Sequence, residues 1–357
     1  MSPLNLGVLI CFLTKTLYIT YYLTTKNNIM EEMISKFPAQ LLEALEIGQN
    51  AKIRAHKTPI NKVYAAGLGG SGIGATFVSE FVQGSCPVPY NVGKGYHIPF
   101  YVDENTLAIA SSYSGNTEET LNAFDQMLRT GAKVVVISSG GKLIEMAKEK
   151  DLDYIQLPDN WSSPRACLGY SLVQQLFILR KLDLIDDGLI EEVRKSADNL
   201  TKWQSDIKDK SQRVASFLLG KIPVIYTTDR MEAVAIRFRQ QINENAKQLC
   251  WHHVVPEMNH NELVGWRSDY KDLAVVYLRN EDDFARNQTR IDINKAIISN
   301  HTDSVVELYS KGNSLIERAL YFVHLVDYIS VSLAELKGVD PVEIKVIDYL
   351  KSELAKS

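Results

Sequence analysis

Hydrophobic and polar positions along this chain repeat in one order. Lys62-Val-Tyr-Ala-Ala66 is a short apolar run that ends in a glycine cluster, and apolar residues at helical spacing follow through Val82. Val88 to Val92 reads as the next strand. Thr106-Leu-Ala-Ile-Ala110 is another such run, followed by serine-rich punctuation and a helical pattern from Glu118 to Leu128. Ala132 to Ile137 leads through glycines into a helix over Lys142 to Lys150, and Asp153 to Leu157 is a further strand. A helical pattern from Ser171 to Leu182 closes this half. Short buried strands separated by helices predict a parallel sheet with helices on both faces.

A polar, charge-rich stretch from Asp187 to Arg213 predicts a connecting helix, after which the alternation restarts. Ile222 to Tyr226 leads into a helix through Ile242. Leu273 to Leu278 precedes the helical Asp282 to Ile298, and Ser304 to Leu308 precedes a long apolar helix, Leu315 to Leu336. An amphipathic helix from Val342 to Leu354 ends the chain. Two α/β halves of similar size imply a duplicated fold, although no strong sequence repeat marks it. The expected divisions are an extension at 1–29, a first subdomain at 30–190, a helical connector at 191–214 and a second subdomain at 215–357.

The extension departs from the rest. Leu4 to Leu23 is mostly apolar and just long enough to cross a bilayer, but Lys15 and threonines interrupt it. No basic residue precedes it and no clean cleavage site follows, which argues against a signal peptide. Met30 opens an ordinary amphipathic helix, so a start codon assigned too early is the preferred reading, ahead of a weak membrane anchor.

Composition narrows the class. With 357 residues the chain has room for about two domains of roughly 150 residues each. Hydrophobic residues at 45% and charged residues at 23% exclude a disordered or fibrous chain. A net charge of -4 disfavours a nucleic-acid partner. The four cysteines, Cys11, Cys86, Cys167 and Cys250, are too far apart in sequence for a zinc knuckle or redox pair, and they fit a reducing, intracellular compartment.

Two motifs carry candidate chemistry. Gly67-Leu-Gly-Gly-Ser-Gly-Ile-Gly74 joins a strand to a helix, where glycines let backbone amides approach an anion. The string satisfies a dinucleotide-binding pattern, yet the next strand ends in Gly-Lys-Gly without the carboxylate that a ribose requires, so a nicotinamide cofactor is the minor branch. A tight turn alone accounts for two or three of these glycines. Ser111-Ser-Tyr-Ser-Gly-Asn-Thr117, followed by Glu118-Glu-Thr-Leu121, also falls at a strand-to-helix junction. Hydroxyls at Ser112, Ser114 and Thr117 with free helix amides suit a phosphate dianion, whereas a simple N-cap needs only one hydroxyl.

These motifs together resemble the sugar isomerase (SIS) domain. Asn243-Glu-Asn-Ala-Lys247, Pro256-Glu-Met-Asn-His-Asn-Glu262 and the closing Gly338-Val-Asp-Pro and Ile347-Asp-Tyr-Leu-Lys351 strings resemble the bifunctional phosphoglucose/phosphomannose isomerases, from Met30 to the end. The resemblance implies two tandem doubly wound SIS-type subdomains, an aldose-ketose isomerase acting in cytoplasmic carbohydrate metabolism, no cofactor and no metal. It implies Ser112, Ser114 and Thr117 on the phosphate, with Gly70 and Ser71 lining the sugar. It implies Glu244, which follows a helix, as the base and Arg165 as the charge facing the reacting carbons. His260 and Lys351 are implied in ring opening, with Lys345 close enough to compete for the lysine role. It also implies a homodimer in which His260 crosses the interface.

Three alternatives remain. His252, His253, Glu257 and His260 lie close in sequence and suggest a metal set, but the spacing lacks helical ligand geometry and Pro256 interrupts it. A strand after Trp251 is the preferred reading of His252 and His253. A non-catalytic phosphosugar sensor would keep the same phosphate cradle. An aminosugar-phosphate isomerase or amidotransferase half would need ammonia from another domain.

Overall fold

The computed structural model describes residues 29–356. The apolar stretch Leu4–Leu23 lies outside them. A helix occupies residues 29–35 (α1), and a second, Phe37–Asn50 (α2), restarts after Lys36 with Pro38 in its first turn. Proline is tolerated there because the amide it lacks would have no intrahelical acceptor.

The chain forms two compact units. Among the described residues, one comprises 36–203 and 310–322, the other 29–35, 204–309 and 323–356. The division falls inside two long helices, Gly188–Leu218 (α7) and Leu315–Lys337 (α10). By length and hydropathy α10 could cross a membrane, but 83% of its most apolar window is buried within the protein, as a core helix requires.

The first unit holds β1 (Lys62–Ala66), α3 (Gly69–Phe81), β2 (Tyr90–Gly93), β3 (Thr106–Ser111), α4 (Glu118–Met127), β4 (Lys133–Ser138), α5 (Gly141–Glu149), β5 (Asp153–Gln156) and α6 (Leu168–Lys181). All strands pair in parallel in the order β2-β1-β3-β4-β5. Tyr64, Ala66, Ala108, Ala110, Val134 and Val136 pack on Ala123, Phe124 and Met127 of α4 and on Leu143, Ile144 and Ala147 of α5. The alternate residues Val63, Ala65, Leu107, Ile109, Val135 and Ile137 are equally buried on the other face. That face is covered from the side of α3 and α6, and α6 packs along α2.

Asp153 ties the edge strand to its surroundings. Its carboxylate accepts from Lys133 Nζ at 2.5 Å, from Arg54 Nε at 2.6 Å and from the Arg54 amide at 2.7 Å. Burial pushes this carboxyl up, but the bonds from Lys133 and Arg54 outweigh it and hold it below the usual carboxylate range. A depressed folded pKa contributes stability that is present above the unfolded value of about 3.9 and is lost as pH falls through the folded one. Asp153→Asn is therefore expected to cost about 1–3 kcal/mol at pH 7. The gap to wild type should close as pH falls below about 4 in urea titrations. A gap that stays constant with pH would contradict this account.

The second unit holds β6 (Ile222–Thr228), α8 (Glu232–Ala246), β7 (Trp251–Val255), β8 (Leu273–Arg279), α9 (Ala285–Ile298), β9 (Val305–Tyr309) and α11 (Lys345–Leu354). Its parallel order is β7-β6-β8-β9. This repeats the order of the first four strands of the other sheet, so the duplication is visible in topology where it is not visible in sequence. Val224, Tyr226, Val275 and Tyr277 pack with Ile291 and Ile298 of α9 on one face.

Candidate active site

In the first unit the two motifs become neighbours. β1 and β3 are adjacent, and the connections that leave them run in opposite directions, to β2 and to β4. The crevice at the carboxyl ends of two such strands is where open α/β sheets bind ligands. The glycine string follows β1 and the serine-rich loop follows β3.

Each glycine of the string answers to the protein's own packing. A Cβ on Gly67 would lie 2.8 Å from the Ser111 carbonyl oxygen, and one on Gly72 would lie 2.5 Å from the Gly67 carbonyl oxygen. Gly74 faces Ser171 Oγ at 2.6 Å, Gly70 faces the Pro164 carbonyl oxygen at 3.0 Å, and Gly69 has φ +52°. The glycine content therefore does not by itself signal a ligand, contrary to the expectation that a turn explains only two or three of them. What it achieves is close approach of the turn to the β3 loop and to the segment carrying Arg165.

The β3 loop is held rigidly. Gly115 has φ +68°, and a Cβ there would sit 1.9 Å from the Gly140 carbonyl oxygen. The Tyr113 carbonyl accepts from Ser139 N at 3.0 Å and Ser139 Oγ at 2.7 Å, and the Gly115 carbonyl accepts from Leu143 N. Lys142 N donates to Asn116 Oδ1. Ser112 Oγ and Thr117 Oγ1 bond each other at 2.8 Å, Asn116 N donates to Ser114 Oγ at 3.3 Å, and Tyr113 N donates to Ser71 Oγ at 3.2 Å. Ser71 thus meets the loop backbone next to the Ser112–Thr117 pair, and Ser114 stands exposed in the same loop. Thr117 occupies the N-cap position of α4, yet its hydroxyl makes no capping bond. The first amides of α4 are left without a side-chain cap, which is the geometry an anion exploits.

Arg165 lies in a 3-10 turn, Pro164–Ala166, ahead of α6, and is only 7% exposed. This departs from the surface position usual for a lone arginine. Its Cα lies 3.7 Å from where a Gly70 Cβ would be, so Gly70 and Arg165 meet at the same turn. The sequence reading missed Lys94, whose Cε lies 3.8 Å from the corresponding position on Gly72. The signal available for it was a lysine between two glycines at the end of β2.

The second unit carries Glu244, His260 and Lys351 on three separate elements. Glu244 lies within the last turn of α8, not after the helix as expected, and the helix ends one turn on at Lys247 with φ +51°. Lys247 Nζ donates to the Glu244 carbonyl. Asn243 Nδ2 donates to the Gln248 carbonyl at 2.7 Å, and Asn245 Nδ2 donates to Ser330 Oγ at 2.9 Å, so both flanking asparagines close and anchor this helix end. His260 is exposed at the end of a 3-10 turn, Glu257–His260, whose Met258 is buried. Lys351 and Lys345 are both exposed on α11, which buries none of its residues. His252 and His253 are consecutive on β7 and so face opposite sides of the sheet. Among the described residues no cluster of three or more metal-ligating side chains is gathered.

The second sheet has its own crevice, after β6 and β8, and the protein fills it. Asp283 Oδ1 accepts from Thr228 Oγ1 at 2.9 Å and Asn280 Nδ2 at 3.1 Å, while Oδ2 accepts from Asn280 N at 2.9 Å. A carboxylate occupies the donors that a phosphate would need there. In the first crevice the hydroxyls of the loop after β3 stand beside the uncapped start of α4, with no carboxylate bonded to them among the described residues.

Comparison with known proteins gives the family. The chain is 40% identical over 337 residues to a bifunctional phosphoglucose/phosphomannose isomerase of Caldicellulosiruptor bescii, covering 92% of this chain and 99% of that protein. The chain belongs to the bifunctional phosphoglucose/phosphomannose isomerase family. A member from Aquifex aeolicus is 38% identical over 302 residues, covering 84% of this chain and 92% of the relative. The family model for the bacterial phospho-glucose isomerase C-terminal SIS domain matches residues 207–354. Among solved structures, the C-terminal domain of glucosamine-fructose-6-phosphate aminotransferase from Francisella tularensis superposes with TM-score 0.69 at 14% identity, covering 87% of this chain and 97% of that one. That likeness establishes the fold, two parallel sheets flanked by helices, and the family model gives it as the SIS type.

Proposed function

We propose that the chain interconverts glucose 6-phosphate and mannose 6-phosphate with fructose 6-phosphate through a cis-enediolate. The observation that carries this reading is membership of the isomerase family combined with an uncapped, hydroxyl-lined start of α4. Ser112, Ser114 and Thr117 hold the phosphate with the α4 amides, and Gly70 and Ser71 line the sugar. Glu244 takes the proton from C2 of the open-chain aldose and returns it to C1, while the hydroxyl proton passes from O2 to O1. The negative charge that develops on oxygen is met by the Arg165 guanidinium, a permanently charged planar fork. His260 and Lys351, or Lys345 in place of the latter, serve ring opening, for which an imidazole is suited near neutral pH. A planar enediolate has no configuration at C2, so one base can serve both epimers provided the site lets either face of C2 turn toward it.

The working form in this reading is a homodimer, with His260 supplied by a second copy, and its substrates place it in the cytoplasm. Exposure of His260 is compatible with donation to a neighbour. The test uses the full chain with fructose 6-phosphate and a chelator, following glucose 6-phosphate and mannose 6-phosphate separately. Formation of both is expected. Glucose 6-phosphate alone would retract the mannose activity, and binding without either product would restore the sensor reading.

A further inference from the structure

Arg165 is buried, and the turn that carries it is held by a residue far away in the chain. We propose that Gln40 of α2 is a positioning residue for Arg165. Its side chain is 1% exposed and both ends of its amide are used. Nε2 donates to the Ala166 carbonyl at 2.8 Å, and Oε1 accepts from the Gly169 amide at 2.9 Å. These two groups flank Arg165 on its C-terminal side. The Gly169 amide belongs to the first turn of α6, which has no side-chain cap of its own. One of the donors that a helix start leaves open is therefore satisfied from another helix.

The chemistry requires an amide. A carboxylate could accept from Gly169 but could not donate to Ala166, and an apolar side chain would leave both buried groups unpaired. Gly169 is part of the same device, since a Cβ there would sit 2.7 Å from Gln40 Oε1. The rest of the α2–α6 seam points the same way. Gln174 Nε2 donates to the Ala44 carbonyl at 2.8 Å, Tyr170 Oη donates to Glu43, and Trp161 Nε1 donates to Tyr170 Oη at 3.0 Å. Across the segment, Tyr113 of the phosphate-side loop donates through its hydroxyl to the Pro158 carbonyl at 2.8 Å. The Arg165 turn is thus braced from α2 at one end and from the β3 loop at the other. Misplacing a catalytic group by about 1 Å costs on the order of 100-fold in rate, so such bracing bears on catalysis directly.

The inference rests on the proposed role of Arg165, and a double-variant cycle separates the two. In the full chain, Gln40→Met is expected to lower kcat about tenfold or more and to leave KM for fructose 6-phosphate within about threefold, because the phosphate contacts are not on this turn. Combined with Arg165→Ala, Gln40→Met should change kcat less than about twofold. Gly169→Ala, which crowds the Gln40 amide while leaving Gln40 in place, should reproduce the non-additive pattern if Gln40→Met does not fold. Equal losses in both backgrounds, or an unchanged kcat in both folded single variants, would overturn the positioning role. Full activity of Arg165→Ala alone would instead remove the catalytic reading of Arg165 on which it depends.

Discussion

Glu244→Gln should abolish turnover while leaving sugar-phosphate binding in place. A general base contributes about 10²–10⁴-fold, and glutamine keeps the shape of the side chain without its basicity. The loss is expected in kcat, with the Kd for fructose 6-phosphate changed less than about threefold, because the proposed phosphate contacts are the hydroxyls and amides at the start of α4. Deuterium oxide provides a second readout. Wild-type protein should wash solvent deuterium into the carbon that exchanges its proton, and the variant should not. A variant that retains more than a tenth of wild-type kcat would exclude Glu244 as the base. Parallel loss of affinity would mean that the substitution disturbs the end of α8, where Asn243 and Asn245 make structural bonds.

Asp327→Ala should be the most destabilising single change in the second unit. Asp327 on α10 receives a bidentate pair from Arg237 on α8, with Nε to Oδ1 at 3.0 Å and Nη2 to Oδ2 at 2.7 Å. The two side chains are 2% and 7% exposed. Removing one partner strands a buried guanidinium, at a cost of about 3–5 kcal/mol. Because the penalty comes from the stranded charge, Arg237→Met together with Asp327→Leu should recover most of it. Urea unfolding followed by fluorescence and circular dichroism measures both. A double variant no more stable than Asp327→Ala would show that the pair contributes by mutual attraction and not by avoiding an orphaned charge. The same locking has a functional side: Ser330 Oγ donates to the Asp327 carbonyl and accepts from Asn245, next to Glu244.

Where local pattern and structure part, the cause is long-range packing. The glycine string looked richer than a turn requires, yet Gly67, Gly70 and Gly74 are each explained by an atom from another segment: Ser111, Pro164 and Ser171. Thr117 stands where an N-cap stands, but its hydroxyl turns to Ser112, a choice that only the folded loop reveals. Asn243-Glu-Asn marked the candidate base through family resemblance, whereas its place inside α8 depended on how the helix closes at Lys247. Lys94 escaped notice because its significance comes from β2 lying beside β1.

The alternation of short apolar runs with helical patterns was enough to establish a parallel α/β fold, repeated twice. Periodicity is a local property, and a strand buried on both faces announces itself within a few residues. The serine-rich loop was also legible as a candidate anion site, since its hydroxyls and the helix start are contiguous in sequence. Strand order was not. Only the fold places β1 beside β3, so that two separate loops share one crevice, and only the fold puts Asp283 into the equivalent crevice of the second sheet. The setting of Arg165 belongs to the same class, since its turn is held by Gln40 from 126 residues away. Contacts of that kind are chosen by how helices pack across a sheet, and no window along the chain contains them.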